Sequence, residues 1–263
     1  MASGMREFFS EKLKAMRPPA VGAAVLSLGL LCNLANAAID SATAAATSHN
    51  TAAGAVPGRD HSASKTVLVL GDSLSAEYGL ERGAGWVPLL ERRIASMRLP
   101  TAIINASISG ETTSGGRARL QALLQKHHPE VVVIELGGND GLRGLPLGAT
   151  QANLQEMIGM SKKSGARVLL LGMQIPPNYG GDYTRRFAGL YAALAKQDDV
   201  TLVPFFLEGL QTRPDLFQAD RIHPAAAAQP LLLDNVWPYL SRLLPKRVAM
   251  TGGASKASAA VAK

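Results

Sequence analysis

The stretch Val67-Leu68-Val69-Leu70-Gly71-Asp72-Ser73-Leu74-Ser75 decides the fold. An apolar, partly β-branched run stops at a glycine, and a serine follows two residues later. Such a run is the pattern of a buried strand, here one that delivers a hydroxyl to the carboxyl end of a sheet. In open α/β sheets, ligands bind at the carboxyl ends of the strands. Ser73 is therefore a candidate nucleophile, provided the rest of the chain supplies a base, an orienting acid and oxyanion donors.

Outward from this run, short apolar runs alternate with stretches of helical spacing. Ala102-Ile103-Ile104, Val131-Val132-Val133-Ile134, Val168-Leu169-Leu170-Leu171 and Thr201-Leu202-Val203 read as further strands, the last broken by Pro204. Between them, apolar residues recur at the helical period. They are Trp86 to Met97, Leu120 to Leu124 (ending before Pro129), Leu154 to Ser161 (closed by Gly165) and Phe187 to Leu194. A last helix runs through Leu231, Leu232, Val236 and Leu240, with Pro238 an expected irregularity. Alternation of this kind predicts a five-stranded parallel sheet with helices on both faces. Right-handed crossovers then set the ends of the first three strands on one rim. No internal repeat and no second domain is visible.

The chain's 263 residues carry a net charge of +7, and its distribution matters more than its size. Residues 1–37 hold +2, residues 38–64 hold −1 and the tail from Lys246 holds +4, leaving about +2 for residues 65–245. Nucleic-acid binding asks for a basic face on a folded domain, and this distribution points to none. At the amino end, a basic region ending at Arg17 precedes an apolar run from Ala20 to Leu31 and the small-x-small pattern Ala35-Asn36-Ala37. This reads as a signal peptide over 1–37, cleaved after Ala37, and places the protein in the periplasm or outside the cell. Counting all of Ala20 to Ala38 as apolar gives the competing reading, an uncleaved membrane anchor. Cys32, the only cysteine, lies inside this segment, so a processed chain has no disulfide and no cysteine chemistry. Residues 38–64 read as a flexible Ala/Ser/Thr-rich linker, 65–245 as the folded domain and 246–263 as a disordered basic tail.

The strand ends carry the chemistry. Gly71-Asp72-Ser73 follows the first strand, Asn105-Ala106-Ser107-Ile108-Ser109-Gly110 the second and Gly137-Gly138-Asn139-Asp140 the third. Asp220-Arg221-Ile222-His223-Pro224 follows the fifth. Three residues on one turn of chain let the Asp220 carboxylate hold one ring nitrogen of His223 while the other faces outward, the orienting role of a catalytic triad acid. Asp220 also reads as a cap for an Ala-rich helix starting near His223. The Asn139 side chain and the backbone N–H groups of Ser73 and Gly110 are candidate oxyanion donors.

Together these four blocks resemble the SGNH (GDSL) hydrolase family. The longer runs from Gly71 to Ala76, Asn105 to Gly110 and Glu135 to Gly144 are similar to its bacterial periplasmic thioesterase I / lysophospholipase / arylesterase branch. The resemblance covers about residues 66–243. It implies a flavodoxin-like three-layer sandwich, no cofactor and no metal. It also implies Ser73 as nucleophile, His223 as base oriented by Asp220, and an oxyanion hole of Ser73, Gly110 and Asn139. One departure is Glu77, where some members of the branch have glycine. It reads either as a carboxylate that perturbs the base or the substrate mouth, or as a solvated charge near a helix start. Another is Ala225, where the branch often has a polar residue.

The expected function is a serine esterase, a monomer acting on small-molecule esters and thioesters: acyl esters, aryl esters and lysophospholipids. Leu142, Leu145, Ile175, Pro176 and Tyr179, on loops after the third and fourth strands, are candidates for bedding an acyl chain. The alternative is a non-catalytic flavodoxin-like module binding an anion at the strand ends. It leaves the Asp220/His223 pair idle, and the phosphate-binding glycine motifs are absent from the chain.

Overall fold

The computed structural model describes residues 65–245. The expected signal peptide, linker and basic tail lie outside the described residues. Five strands, β1 (Lys65–Gly71), β2 (Thr101–Asn105), β3 (Val131–Glu135), β4 (Arg167–Leu171) and β5 (Thr201–Val203), form one sheet in the order β2-β1-β3-β4-β5. Every neighbouring pair is parallel. Six helices connect or flank them: α1 (Trp86–Ser96), α2 (Thr113–His127), α3 (Gly138–Leu142), α4 (Leu147–Lys163), α5 (Gly181–Asp198) and α6 (Gln229–Leu243). This is the flavodoxin-like α/β sandwich.

From β1 the chain steps to one side to make β2, then crosses back over β1 to make β3. Right-handed crossovers in opposite directions put α1 and α2 on opposite faces. Accordingly α1 packs on α6, while α2, α4 and α5 pack side by side. The change of direction opens a crevice at the carboxyl ends of β1 and β3, where open sheets of this order bind ligands. The central strands are apolar through their middles, Val67–Leu70 in β1 and Val131–Ile134 in β3, because helices cover both faces. All five residues of β3 are buried, as are Val67, Leu68, Val69 and Leu70 in β1. Trp86, Phe187, Tyr191 and Phe206 are the largest side chains fully enclosed around them.

The helices follow their apolar periods, with differences at the ends. His128, in the left-handed conformation before Pro129, stops α2, and Gly165 at φ +87 follows α4. Pro238 sits inside α6 without ending it. The five-residue helix α3 has no apolar period to announce it. Among the described residues no helix is long and apolar enough to cross a membrane.

Candidate active site

The end of β1 is held rigidly from beneath. A side chain at position 71 would collide with Glu135 Oε2, Ser75 Oγ and Ser107 Oγ, all within 2.9 Å of where its Cβ would sit. Glycine is needed there for close approach. Glu135, fully buried at the end of β3, accepts from Ser75 Oγ at 2.7 Å and from the Asp72 N–H at 3.2 Å. The Trp86 indole Nε1 donates to the same Ser75 Oγ at 3.1 Å. Residues after Asp72 do not enter a helix. Ser75 and Ala76 donate N–H groups to the Asp72 carbonyl, and the chain runs on as successive turns. Ser73, half-buried, stands at the head of these turns.

Its partner arrives from the other end of the chain. His223 Nε2 lies 2.9 Å from Ser73 Oγ, and His223 Nδ1 lies 2.6 Å from Asp220 Oδ2. Asp220 caps no helix, since α6 begins only at Gln229. Its Oδ1 instead accepts the N–H groups of Ile222 and His223, at 3.0 and 3.1 Å, and so caps its own turn. Desolvation pulls the Asp220 carboxyl upward. The bonds from the Ile222 N–H, the His223 ring and the His223 N–H outweigh it and hold Asp220 below the usual aspartate value. The segment is a small hairpin. Phe217 pairs with Pro224 across it, and the Gln218 N–H donates to the His223 carbonyl at 2.7 Å.

One amide links the chain segments that carry the three expected oxyanion donors. Asn139 Nδ2, at the start of α3, donates to Asp72 Oδ2 and to the Glu111 carbonyl, each at 3.0 Å. Asp72 precedes Ser73 and Glu111 follows Gly110, so this amide ties the neighbours of both backbone donors to itself. Gly110 has φ +79, a conformation that glycine adopts at no steric cost. Among the described residues neither the Ser73 N–H nor the Gly110 N–H finds a protein acceptor. Asp140 beside Asn139 is 3% exposed and accepts the Thr113 N–H at 2.9 Å, which fixes α3 to the start of α2.

Two buried acids lie beside Ser73 in the fold, Asp72 next to it in the chain and Glu135 bonded to the Asp72 N–H. Asp72, 2% exposed, is pushed up to about 6, chiefly by burial and against the lowering effect of the Leu74 N–H, His223 and the Asn139 amide. Glu135 is held well above the ordinary value by burial, with the Asp72 charge adding to it. An acid with a raised folded-state pKa stabilises the fold below its unfolded value and loses that contribution as pH rises through the folded one. Asp220, shifted the other way, acts below pH 4. Between pH 4 and pH 7, wild type should lose about 2–3 kcal/mol of stability relative to Asp72→Asn. Paired denaturant titrations across that range measure it, and a constant difference refutes the assignment.

Of the acyl-bed candidates, Leu145 and Tyr179 are exposed at 36% and 38%, Pro176 is exposed and Leu142 is half-buried. Ile175 is a correction: at 4% exposure it packs in the core, where a Cβ at Gly141 would touch both it and Phe187. None of the five lines the depression beside Ser73 and His223. That shallow depression is walled by Leu74, Tyr78, Leu80, Pro224 and Gln229. The Tyr78 ring lies 4.4 Å from the His223 ring at 39°. No periodicity marks Tyr78 or Leu80, because their role depends on a contact with the far end of the chain. Glu77 is neither on a helix nor free in solvent. It adopts φ +58, and its Oε1 accepts the N–H groups of Gly83 and Gly85 at 2.9 and 2.8 Å.

Comparison with known proteins agrees with this architecture. The model of the GDSL-like lipase/acylhydrolase family matches residues 69–230. The chain is 54% identical to Esterase TesA of Pseudomonas aeruginosa over 69% of its own length and 90% of that protein's. It is 44% identical to Thioesterase 1/protease 1/lysophospholipase L1 of Escherichia coli, over 69% of this chain and 86% of that one. The crystal structure of the psychrotrophic esterase EstA from Pseudoalteromonas sp., inhibited by monoethylphosphonate, superposes with a TM-score of 0.65 at 40% identity, covering 68% of this chain and 97% of that one. With its sheet order, its strand-end residues and these matches in agreement, the chain belongs to the GDSL-like lipase/acylhydrolase family and is a hydrolytic enzyme.

Proposed function

We propose that the chain hydrolyses carboxylic esters and thioesters through an acyl-enzyme on Ser73. The observation that carries this reading is the continuous line Ser73 Oγ to His223 Nε2 at 2.9 Å and His223 Nδ1 to Asp220 at 2.6 Å. Asp220, kept ionised, holds the proton on Nδ1, which leaves Nε2 free to accept the Ser73 hydroxyl proton. The Ser73 oxygen attacks the carbonyl carbon, and the carbonyl π electrons move to oxygen. That oxyanion takes hydrogen bonds from the Ser73 and Gly110 N–H groups. It also competes with the neutral Glu111 carbonyl for one hydrogen of the Asn139 amide, because charge-assisted bonds are the stronger ones. Each such donor is worth about 2.7–4 kcal/mol of barrier. Collapse expels the alcohol or thiol, which receives its proton from Nε2. His223 then activates water against the acyl-enzyme in the same manner. The chain is a serine esterase; the anion-binding alternative gives His223 and Asp220 nothing to do.

The substrate class is small esters and thioesters with acyl or aryl groups, lysophospholipids included. The names of the relatives support this, as does a site with apolar walls open to solvent. Leu142, Leu145, Pro176 and Tyr179 remain the proposed bed for a longer acyl chain, and the working unit is a monomer. The amino-terminal basic and apolar pattern ending at Ala37 supports export, as a periplasmic or secreted enzyme. The test is a fluorophosphonate with intact-mass and peptide analysis. One equivalent should attach, on Ser73, and turnover of a p-nitrophenyl ester should stop in proportion. Attachment elsewhere, or full turnover by labelled protein, would refute the reading.

A further inference from the structure

Glu77 closes a loop on itself. Its carboxylate stands at the start of residues 77–85, and the two N–H groups it holds, of Gly83 and Gly85, stand at the end. The closing point is attached to the rigid frame. Gly85 immediately precedes the fully buried Trp86, whose N–H is accepted by Gln229 Oε1 at 3.0 Å and whose indole reaches Ser75. A residue other than glycine at φ +58 is under strain, and here the two hydrogen bonds hold it there.

What the loop carries is the wall of the reaction site. Tyr78 and Leu80 both line the hollow beside Ser73, and the Tyr78 carbonyl accepts from Gln218 Nε2 at 2.8 Å. Tyr78 is 50% exposed, yet one face of its ring lies against His223. In the reaction proposed above, His223 hands its proton to the departing oxygen or sulfur, so the leaving group must lie beside the imidazole. The side chain that covers the imidazole therefore also borders the leaving group. An aromatic ring held there favours an aryl leaving group by stacking.

We propose that Glu77 is a positioning residue that clasps the 77–85 loop and so fixes Tyr78 and Leu80 as the wall of a leaving-group subsite selective for aryl esters. The inference rests on the serine-esterase reading. The clasp uses one oxygen, Oε1, for both N–H groups. A glutamine supplies that oxygen without the charge, while a glycine keeps the backbone conformation and removes the clasp.

The experiment compares 2-naphthyl acetate with ethyl acetate. Both give the same acetyl-enzyme, so a difference between them in kcat/KM belongs to the leaving group. E77G should lose about tenfold in kcat/KM on the naphthyl ester and less than twofold on the ethyl ester. E77Q should restore the naphthyl ester, and Y78A should reproduce the E77G pattern. The double variant E77G/Y78A should lose no more than either single change, since both remove the same wall. Equal losses on both esters, no loss, or E77Q behaving as E77G would overturn the inference alone. If the unaltered chain hydrolyses neither ester, the esterase reading falls and takes the inference with it.

Discussion

Ser73→Ala is expected to lower kcat on a simple aryl ester by about 10⁴- to 10⁶-fold while leaving the fold intact. The first half of that expectation follows from chemistry. Without Oγ there is no acyl-enzyme, and His223 can only activate water against a bound ester, assisted by the Gly110 N–H and the Asn139 amide. The remaining rate over uncatalysed hydrolysis belongs to those donors and to binding. The second half follows from packing. Ser73 is half-buried and its hydroxyl bonds to His223 alone among the described residues, so the lost methylene-bound oxygen leaves neither a core cavity nor a stranded buried partner. Steady-state kinetics and a thermal melt on the same preparation check both. Turnover within tenfold of wild type would remove Ser73 from the nucleophile role.

Asp220→Asn should cost about 10⁴-fold in kcat, with little change in structure. The direction is fixed by two backbone donors. Oδ1 of Asp220 accepts N–H groups from Ile222 and His223, and only an oxygen can occupy that place. An asparagine must therefore turn its NH₂ toward the imidazole. Nδ1, facing a donor, becomes the acceptor, and the ring proton moves to Nε2, where it points at Ser73 Oγ. A protonated Nε2 cannot take the serine proton, so the base is silenced by its tautomer while every heavy atom stays in place. A proton NMR signal for His223 Nδ1–H in wild type, absent from the variant, reports the switch directly. A variant that keeps more than a tenth of wild-type kcat would show that Asp220 does not govern the tautomer.

Most of this architecture was legible because it obeys short rules. The runs at Val67–Leu70 and Val131–Ile134 have no polar alternation, and their alternation with helical stretches gives them a place in a parallel sheet covered on both faces. The residues at the strand ends then had to meet, because the sheet leaves them one rim to occupy. Geometry made by loops was not legible. Ile175 follows a strand as the rim residues do, and an apolar side chain in that position can turn outward to substrate or inward to Phe187; periodicity does not distinguish the two. Asp220 and Glu77 were each open to a helix-terminus reading, because acids near helix starts are common. In the structure both carboxylates instead bind backbone N–H groups of irregular chain. Local hydrogen-bond competition of this kind is decided by the path of the loop, which no spacing of residue types encodes.

The hairpin from Phe217 to Pro224 gives activity and global stability different dependences. The His223–Asp220 geometry is local, spanning three residues, and assembles whenever that hairpin does. The Ser73–His223 contact spans 150 residues and exists only while the hairpin is docked on the end of β1. Residues 219–222 are exposed, whereas the strands beneath them are sealed. The hairpin's ends are held by apolar contact, Phe217 against the core and Pro224 buried, while the exposed residues between them carry Asp220. Lifting the hairpin would part His223 from Ser73 at once, so catalytic competence belongs to the docked arrangement and not to the sheet alone.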